Sequence, residues 1–179
     1  MNLEERIAHH RQMAESYRNA YLRQGVKDGE QYTDDEGHEA WKFAADAVYM
    51  SPYFTGDQEF LMSDFPTDTA NSATLEAKVY SLTFPDWKPE SFKYWSAGDG
   101  FVMMTRWQGH TVDGTGMGFY SYSFVNTNED GDVIRWETHC NDEYSRFLEV
   151  AIGVSGPFQG TTEYLDALHR RLDKASVTA

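Results

Sequence analysis

The feature that most constrains this chain is a change in the period of its apolar residues near residue 90. Before it, apolar residues recur at helical spacing within residues 3–24 and 69–82. After it, four segments alternate apolar and polar residues and are separated by glycine-containing turns. These segments are residues 92–95, 101–107, 117–125 and 132–140. The pattern predicts an α+β domain in which N-terminal helices pack on the concave face of a curved antiparallel sheet.

Shorter signals predict the remaining elements. Residues 38–45 favour a short helix, residues 47–51 turn extended before Pro52, and residues 161–174 have a helical pattern followed by a loose tail. We interpret residues 1–179 as a single domain. Its parts are a helix over 1–26, an acidic loop over 27–37, a core over 38–145 and a C-terminal extension with a helix over 146–179.

Charge and cysteine content narrow the partners and the compartment. The chain has 15 Lys+Arg against 29 Asp+Glu, and this net charge of −14 opposes binding to nucleic acid and to anionic membranes. Its single cysteine cannot form an internal disulfide, and its charged amino terminus does not resemble a signal peptide. No apolar run approaches the roughly 20 residues that cross a bilayer. We expect a cytoplasmic protein without nucleic-acid or membrane partners.

Composition also limits the chemistry. The six histidines have no metal-ligand spacing, and the sequence has no phosphate-binding glycine loop, so we expect neither a metal nor another cofactor. Aromatic residues make up 15% of an otherwise polar chain. Rings on the predicted strands suit a flat aromatic ligand, and phenol hydroxyls can hold its polar groups. Without a metal or another cofactor, the expected chemistry is acid–base catalysis by Tyr, His, Arg, Glu or Asp side chains.

The extended segment before Pro52 supplies a first group of candidates. Tyr49, Ser51 and Tyr53 alternate along it and place their hydroxyls on one face. There they could orient a hydroxylated substrate or stabilise a developing oxyanion, with Tyr49 as the catalytic residue. The alternative is that the two tyrosines are packing residues.

The later strands supply a second group. Arg106 and His110 share one face of their strand, and Trp107 lies on the other. The pair could bind a phenolate or carboxylate, or could form an exposed salt-bridging surface. On the last strand His139 alternates with Trp136, but a bulge would reverse that phase and bring His139 to the pocket. We take Arg106, His110 and His139 as catalytic candidates, and Trp107 as a substrate-binding candidate.

Four stretches in this order resemble the SnoaL-like branch of the nuclear transport factor 2 superfamily. They are Trp41-Lys-Phe-Ala-Ala-Asp-Ala-Val-Tyr-Met-Ser-Pro52, Phe84-Pro-Asp-Trp87, Trp107-Gln-Gly-His-Thr111 and Asn128-Glu-Asp-Gly-Asp-Val-Ile-Arg-Trp136. The Phe84-Pro-Asp-Trp87 stretch, followed later by Gly109-His110, looks most like the phenazine biosynthesis A/B proteins. The resemblance covers about residues 3–145 and implies a cone-shaped sheet with a pocket between helices and sheet. It also implies a homodimer or homotrimer.

The resemblance assigns further positions. It places the strand face that carries Trp136 and Thr138 along the pocket. It places Tyr80 and Glu76 where the phenazine proteins carry polar pocket residues. Glu76 could be a base whose pKa is raised by burial, or an exposed helix residue. It places Thr138 where polyketide cyclases carry a catalytic Asp.

Comparison with ketosteroid isomerase places Ser51 of this chain where that enzyme carries its catalytic base, and Ser123 near the position of its oxyanion-hole acid. Because the three carboxyls are absent, we do not expect either mechanism to be copied. Ser51, Tyr53, Tyr80, Trp107, Ser123, Trp136 and Thr138 are the substrate-binding candidates.

The function that these observations favour is a cofactor-independent lyase or dehydratase acting on a hydroxylated aromatic small molecule. The superfamily contains scytalone dehydratase and the cofactorless diarylpropane lyases. The resemblance to these enzymes suggests a lignin-derived diarylpropane as the first substrate to test. It would lose water and formaldehyde to give a stilbene. A small-molecule carrier, a small structural subunit of a ring-hydroxylating dioxygenase, and a polyketide cyclase or isomerase are the alternatives, since one fold hosts many functions.

Overall fold

One mixed sheet of six strands organises the fold. The computed structural model describes residues 1–22, 36, 38–53, 58–64, 72–158 and 160–178. In these residues the helices are α1 (Leu3–Leu22), α2 (Ser72–Ser81), α3 (Glu143–Ile152) and α4 (Thr161–Thr178). The strands are β1 (Phe43–Met50), β2 (Phe60–Leu61), β3 (Lys88–Ala97), β4 (Gly100–His110), β5 (Gly116–Thr127) and β6 (Val133–Cys140), and a 3-10 turn covers Met62–Asp64.

The strand order is β2-β1-β6-β5-β4-β3. Strands β3 to β6 form the predicted antiparallel meander. Gly114 and Gly131 lie in two of its turns with φ of 85° and 90°, a conformation that glycine adopts without steric cost. Strand β1 adds to the meander in parallel with β6, and β2 pairs antiparallel with β1.

The helices cover one face of this sheet, as the α+β prediction required. Met103, Thr105 and Trp107 of β4 are buried on that face, which we call the inner face. Val102 and Arg106 alternate with them and lie on the opposite, outer face. Helix α1 packs on the inner face of β3 and β4, and α3 packs on β5.

Two apolar clusters fill the space between the helices and the inner face. The first lies under α2, α3 and α4 and contains Leu75, Val79, Tyr80, Phe84, Trp107, Phe119, Tyr144, Phe147, Leu148, Ala151, Ile152, Phe158, Tyr164, Leu165, Ala167 and Leu168. The second lies under α1 and contains Met13, Ala14, Ala40, Trp41, Phe101, Met103, Val125, Val133 and Trp136. Burial of these side chains is the main stabilising contribution to the fold.

Helix α1 confirms the prediction for residues 3–24 as far as the structure describes it. Its start is a reciprocal cap in which the Glu5 amide donates to Asn2 Oδ1 and the Asn2 amide donates to Glu5 Oε2, at 3.0 and 2.8 Å. Predicted helix 69–82 is confirmed as α2, Ser72–Ser81, within the described residues.

The prediction of a short helix at residues 38–45 is wrong. Strand β1 begins at Phe43, and residues 38–42 are not helical. Ala44, Ala45 and Ala47 favour a helix, but intrinsic propensity is a weak determinant, and pairing of the backbone with β6 decides the outcome. The indole of Trp41 donates to the carbonyl of Met13 at 2.8 Å and fixes the entry to the strand.

The C-terminal part also differs from the prediction. Helix α3 was not predicted, although Tyr144, Phe147 and Leu148 have helical spacing and Gly153, with φ of 77°, caps its end. The predicted boundary between residues 145 and 146 falls inside this helix. Helix α4 continues to Thr178 where a loose tail was expected. Side chains of both helices belong to the first apolar cluster.

A bulge sets the phase of β6. Asn126 pairs with Arg135 but Thr127 pairs with Val133, so Ile134 is an extra residue in the ladder. Val133 and Trp136 are therefore both buried, whereas Ile134 is 39% exposed. Strict alternation along the strand would place Ile134 with Trp136 and Val133 opposite them, and the bulge reverses that arrangement at Ile134 and Val133.

The predicted acidic loop at 27–37 lies outside the described residues except for position 36. Within the part of the chain that the structure describes, no helix is both long and apolar enough to cross a membrane.

Candidate functional site

Three helices bring a carboxyl and three phenols together inside the first apolar cluster. Glu76 and Tyr80 lie one turn apart on α2, Tyr144 lies on α3 and Tyr164 on α4. The hydroxyl of Tyr164 donates to Glu76 Oε1 at 2.6 Å. The hydroxyl of Tyr80 lies 2.5 Å from that of Tyr164 and 3.0 Å from that of Tyr144. A continuous chain of hydrogen bonds thus leads from Tyr144 to the Glu76 carboxyl.

Burial changes the acidity of every member of this chain. Desolvation of the carboxylate raises the pKa of Glu76 to about 7, against which the hydrogen bond from Tyr164 acts. Desolvation also raises the pKa values of Tyr80, Tyr144 and Tyr164 well above the ordinary value of a phenol. Near neutral pH the three tyrosines are therefore hydroxyl donors, and only Glu76 can readily gain or lose a proton.

A second set of polar side chains comes from the inner face of the sheet. Ser123 Oγ lies 3.2 Å from Thr138 Oγ1 across β5 and β6. Tyr49 of β1 forms side-chain hydrogen bonds with Thr138 and with Ser51, and burial raises its pKa. The Tyr49 ring meets Trp136 edge-on at a centroid distance of 5.7 Å.

The two sets face a common space. The pKa values of Tyr49 and of Cys140 are both raised further by the nearby Glu76. Tyr49, Glu76, Thr138 and Cys140 each keep part of their surface exposed. Burial nevertheless dominates the pKa values of Tyr49, Glu76 and Cys140, so these side chains lie deep among protein atoms rather than at the open surface. We call the region bounded by these four residues the inner chamber.

Aromatic rings extend the wall beside the tyrosines. Trp87 and Trp107 stack at a centroid distance of 4.8 Å and an interplanar angle of 7°. Tyr80 meets Trp87 edge-on at 5.1 Å. The indole of Trp107 donates to Ser121 Oγ at 2.8 Å. These contacts hold the rings rigidly in place.

The substrate-binding candidates are mostly brought together. Ser51, Tyr80, Ser123, Trp136 and Thr138 lie in or next to the inner chamber, and Trp107 lies in the aromatic wall. These residues share the inner face and the helices packed on it.

Tyr53 has a different position. Its hydroxyl lies 2.9 Å from Ser145 Oγ and accepts the Gly156 amide proton at 2.9 Å, and its ring packs on Tyr144. The hydroxyl thus joins the end of β1 to α3 and the following loop.

The catalytic candidates are separated. Tyr49 lies at the inner chamber, whereas Arg106, His110 and His139 lie on the outer face or at the end of its strands. Arg106 forms an ion pair with Glu143 at 2.6 Å.

The two histidines each pair with a carboxylate. The His110 amide donates to Asp86 Oδ1, and His110 Nδ1 donates to Asp86 Oδ2 at 2.8 Å, and both bonds lower the pKa of Asp86. His139 Nε2 lies 2.6 Å from Glu137 Oε1, and this contact lowers the pKa of Glu137. The bulge at Ile134 comes before Trp136, and alternation is regular from Trp136 to Cys140. His139 therefore lies on the outer face, opposite to Trp136. Catalytic roles for these three residues stay predictions, with no contact between them and the inner chamber.

Two residues of the site were missed. Tyr144 and Tyr164 come from the C-terminal helices, one of which was not predicted. A buried tyrosine normally finds a partner for its hydroxyl, so tyrosines on the apolar face of a helix were the available signal. Among the described residues, no group of three His, Cys, Asp or Glu side chains could hold a metal ion.

Comparison with known proteins identifies fold relatives only. No family model matches the chain, and no curated protein matches it. Similar solved structures include a phenazine biosynthesis-related protein from Pseudomonas aeruginosa, with 13% identity over 87% of this chain and 94% of that one and a TM-score of 0.47. An NTF2-like protein of unknown function from Burkholderia pseudomallei has 14% identity over 80% and 97%, with a TM-score of 0.45.

A third structure, from Catenulispora acidiphila, is described as having a ketosteroid isomerase-like fold. It has 13% identity over 80% of this chain and 92% of that one, with a TM-score of 0.44.

Proposed function

We propose that this chain is an enzyme that binds a hydroxylated aromatic small molecule in the inner chamber and acts on it by acid–base chemistry, as a lyase or dehydratase. One observation carries the proposal: the carboxyl of Glu76 lies deep in the fold at the end of a chain of hydrogen-bonded tyrosine hydroxyls. A general base works best when its pKa is near the pH of the reaction, and burial brings the pKa of Glu76 to about 7.

The roles divide between Glu76 and Tyr49. In a dehydration, the Glu76 carboxylate takes a proton from carbon, the carbon–oxygen bond breaks and the double bond forms. With a diarylpropane diol, the carboxylate instead takes the proton of the hydroxymethyl O–H, the bond to that carbon breaks to release formaldehyde, and its electron pair forms the double bond as the benzylic carbon–oxygen bond breaks. The departing hydroxyl takes the phenol proton of Tyr49 and leaves as water, which can return the proton from Glu76 to Tyr49. The raised pKa of Tyr49 keeps this phenol protonated before the reaction.

The hydrogen-bonded tyrosines position the base. Tyr164 holds one oxygen of the Glu76 carboxyl at 2.6 Å, and Tyr80 holds Tyr164. The Ser123 and Thr138 hydroxyls on the opposite wall are placed to bind polar groups of the substrate. Trp87, which stacks on the buried Trp107 and is itself partly exposed, offers apolar surface to an aromatic ring.

The first substrate to test is a diarylpropane diol, which would lose water and formaldehyde to give a stilbene. Stilbene absorbance follows the reaction directly. We expect Glu76→Gln to lower kcat by about 10²-fold or more, since general acid–base catalysis contributes about that much. Tyr49→Phe should lower kcat in the same direction.

Matched variants outside the chamber provide the controls. Glu149→Gln changes an exposed glutamate of α3, and Tyr122→Phe changes a tyrosine of the outer face, so both should retain turnover. Turnover by Glu76→Gln at the wild-type rate would contradict the proposal. Binding of the diol with no turnover by the wild-type protein would indicate a carrier.

A further inference from the structure

A cleft separate from the inner chamber lies between α1 and β3, the last strand at one edge of the sheet. Its volume is about 180 Å³. Helix α1 lines it with Glu15, Arg18 and Leu22, and β3 lines it with Pro89, Glu90, Ser91, Phe92 and Tyr94. None of the four residues that bound the inner chamber lines this cleft, which is therefore a second concave site on the molecule.

One face of α1 forms the first wall of the cleft. Glu15, Arg18 and Leu22 lie at i, i+3 and i+7 of the helix, so their side chains share a face. The hydroxyl of Tyr94 donates to Glu15 Oε1 at 2.8 Å and joins this wall to the strand. An ionised carboxylate accepts several hydrogen bonds, so Glu15 keeps capacity for a ligand.

A bulge shapes the second wall. Pro89 pairs with Trp107 of β4 and Ser91 pairs with Arg106, so Glu90 is an extra residue in the ladder. A bulge re-aims the side chains of its strand, which explains why consecutive residues of β3 line one cleft. Backbone N–H and C=O groups along the free edge of β3 have no strand partner among the described residues and are also open to a ligand.

The cleft holds exposed charges of both signs. Arg18 and Glu90 form no salt bridge and no side-chain hydrogen bond within the part of the chain that the structure describes. Apolar surface accompanies them, because Leu22 is 45% exposed and the ring of Phe92 lies 6.0 Å from that of Tyr94. Charged and apolar surface thus meet in one concave site.

This combination favours a ligand that carries both charges. A cation would pair with the two carboxylates but be repelled by Arg18, and an anion would pair with Arg18 but be repelled by the carboxylates. A zwitterion makes all three interactions favourable, and a guanidinium binds a carboxylate through two parallel hydrogen bonds. The volume of the cleft equals that of about six water molecules, which limits the ligand to a small molecule.

We propose that the cleft between α1 and β3 binds a small zwitterion with an apolar side chain, the class to which apolar α-amino acids belong. Arg18 binds the carboxylate, Glu15 and Glu90 bind the ammonium group, and Leu22 and Phe92 contact the side chain. The proposal goes beyond the proposed function and does not depend on it, because the two sites share no residue.

Three ligands with the same branched apolar group test the proposal: leucine, 3-methylbutylamine and 4-methylpentanoate. Leucine carries both charges, and each of the others lacks one. Because the charges of the cleft are exposed and screened, we expect leucine to bind with a Kd on the order of 1 mM at low salt. The other two should bind at least about fivefold more weakly. Shifts in the amide NMR signals of Phe92 and Tyr94 measure binding and locate it.

Two variants assign the charges to their partners. Arg18→Gln should weaken the binding of leucine about fivefold without weakening that of 3-methylbutylamine. Glu90→Gln should weaken the binding of leucine without weakening that of 4-methylpentanoate. The controls are Arg170→Gln on α4 and Glu149→Gln on α3, which change exposed residues outside the cleft and should keep all three affinities.

Three results would overturn the proposal. They are equal affinities for leucine and 3-methylbutylamine, unchanged leucine binding by Arg18→Gln, and no shift at Phe92 and Tyr94 in about 20 mM leucine. Failure here is distinguishable from failure of the proposed function. Glu76→Gln should bind leucine as the wild-type protein does, and leucine that competes with the diarylpropane diol would contradict a separate site.

Discussion

Glu76 affects the stability of the fold as well as the chemistry of the chamber. Its pKa is raised from 4.5 to about 7 on folding, so between these values the folded state binds more protons than the unfolded state. Stability therefore falls as the pH rises from about 4.5 to about 7 and levels off above that, by about 3 kcal/mol at most.

His10 has the opposite effect in an overlapping range. Burial lowers its pKa below 6.5, so its contribution is lost as the pH falls below that value. The test is therefore the difference in unfolding free energy between the wild-type protein and Glu76→Gln, because the contribution of His10 is common to both. Urea unfolding from pH 4.5 to 8 should show that the wild-type protein loses stability relative to Glu76→Gln as the pH rises. A difference that does not vary with pH would contradict the raised pKa.

The outer-face histidines allow a direct comparison of the sequence-based and structure-based site assignments. His110 pairs with Asp86 and His139 pairs with Glu137, away from the inner chamber. We expect His110→Ala and His139→Ala to change kcat by less than about threefold, because neither side chain can reach a ligand there. A hundredfold loss in either variant, measured with the diol, would support the assignment made from the sequence.

At the scale of elements, one buried histidine ties α1 to the sheet. His10 Nδ1 lies 2.7 Å from the Ala97 carbonyl at the end of β3, and Nε2 lies 2.7 Å from Thr127 Oγ1 at the end of β5. The neutral imidazole fits this pair of contacts, since Nδ1 donates to the carbonyl and Nε2 accepts from the hydroxyl. A single side chain therefore fixes the helix against two strands.

Removing that side chain should be costly. We expect His10→Ala to destabilise the protein by on the order of 3 kcal/mol through the lost packing and the unpaired polar groups, and Thr127→Val by about 1 to 2 kcal/mol. His169→Ala, at an exposed position of α4, should change stability by less than about 0.5 kcal/mol. Urea midpoints measure all three, and equal stabilities for His10→Ala and the wild type would refute the role of this contact.

At the scale of the whole molecule, the outer face of the sheet bears large apolar side chains. Trp95 pairs with Val102, which pairs with Phe124, and Trp95 and Phe124 are 57% and 43% exposed. The charges of this face nearly balance: Arg106 pairs with Glu143, Arg135 pairs with Glu59 and Glu137, and Lys93 adds a third positive charge. It is thus nearly neutral on a chain of net charge −14, where repulsion between copies is weakest.

We predict that a second copy of the chain covers this face. Light scattering should give the mass of a dimer, and Trp95→Asp combined with Phe124→Asp should reduce it to that of a monomer because two carboxylates would be buried without partners. Val112→Asp, at a 95% exposed position in the β4–β5 turn, is the control and should leave the mass unchanged. A monomeric wild-type protein would refute the prediction.

The sequence by itself determined the meander, α1 and most of α4, because these follow from local periodicity and turn chemistry. The family resemblance pointed to Ser123 and Thr138, and alternation along β5 and β6 puts both on the same side as their buried neighbours. Even Glu76 was recognisable as a possible buried base.

Only the tertiary structure decided which of these residues form a site. Glu76 and Tyr164 are 88 residues apart and meet because three helices pack on one face of the sheet. The parallel pairing of β1 with β6 overrides the helical propensity of residues 38–45. The bulge at Ile134 does not change the alternation from Trp136 to Cys140, so His139 lies on the outer face. Such contacts depend on packing between distant segments, whereas a local pattern specifies only the alternation of faces and not which face is buried.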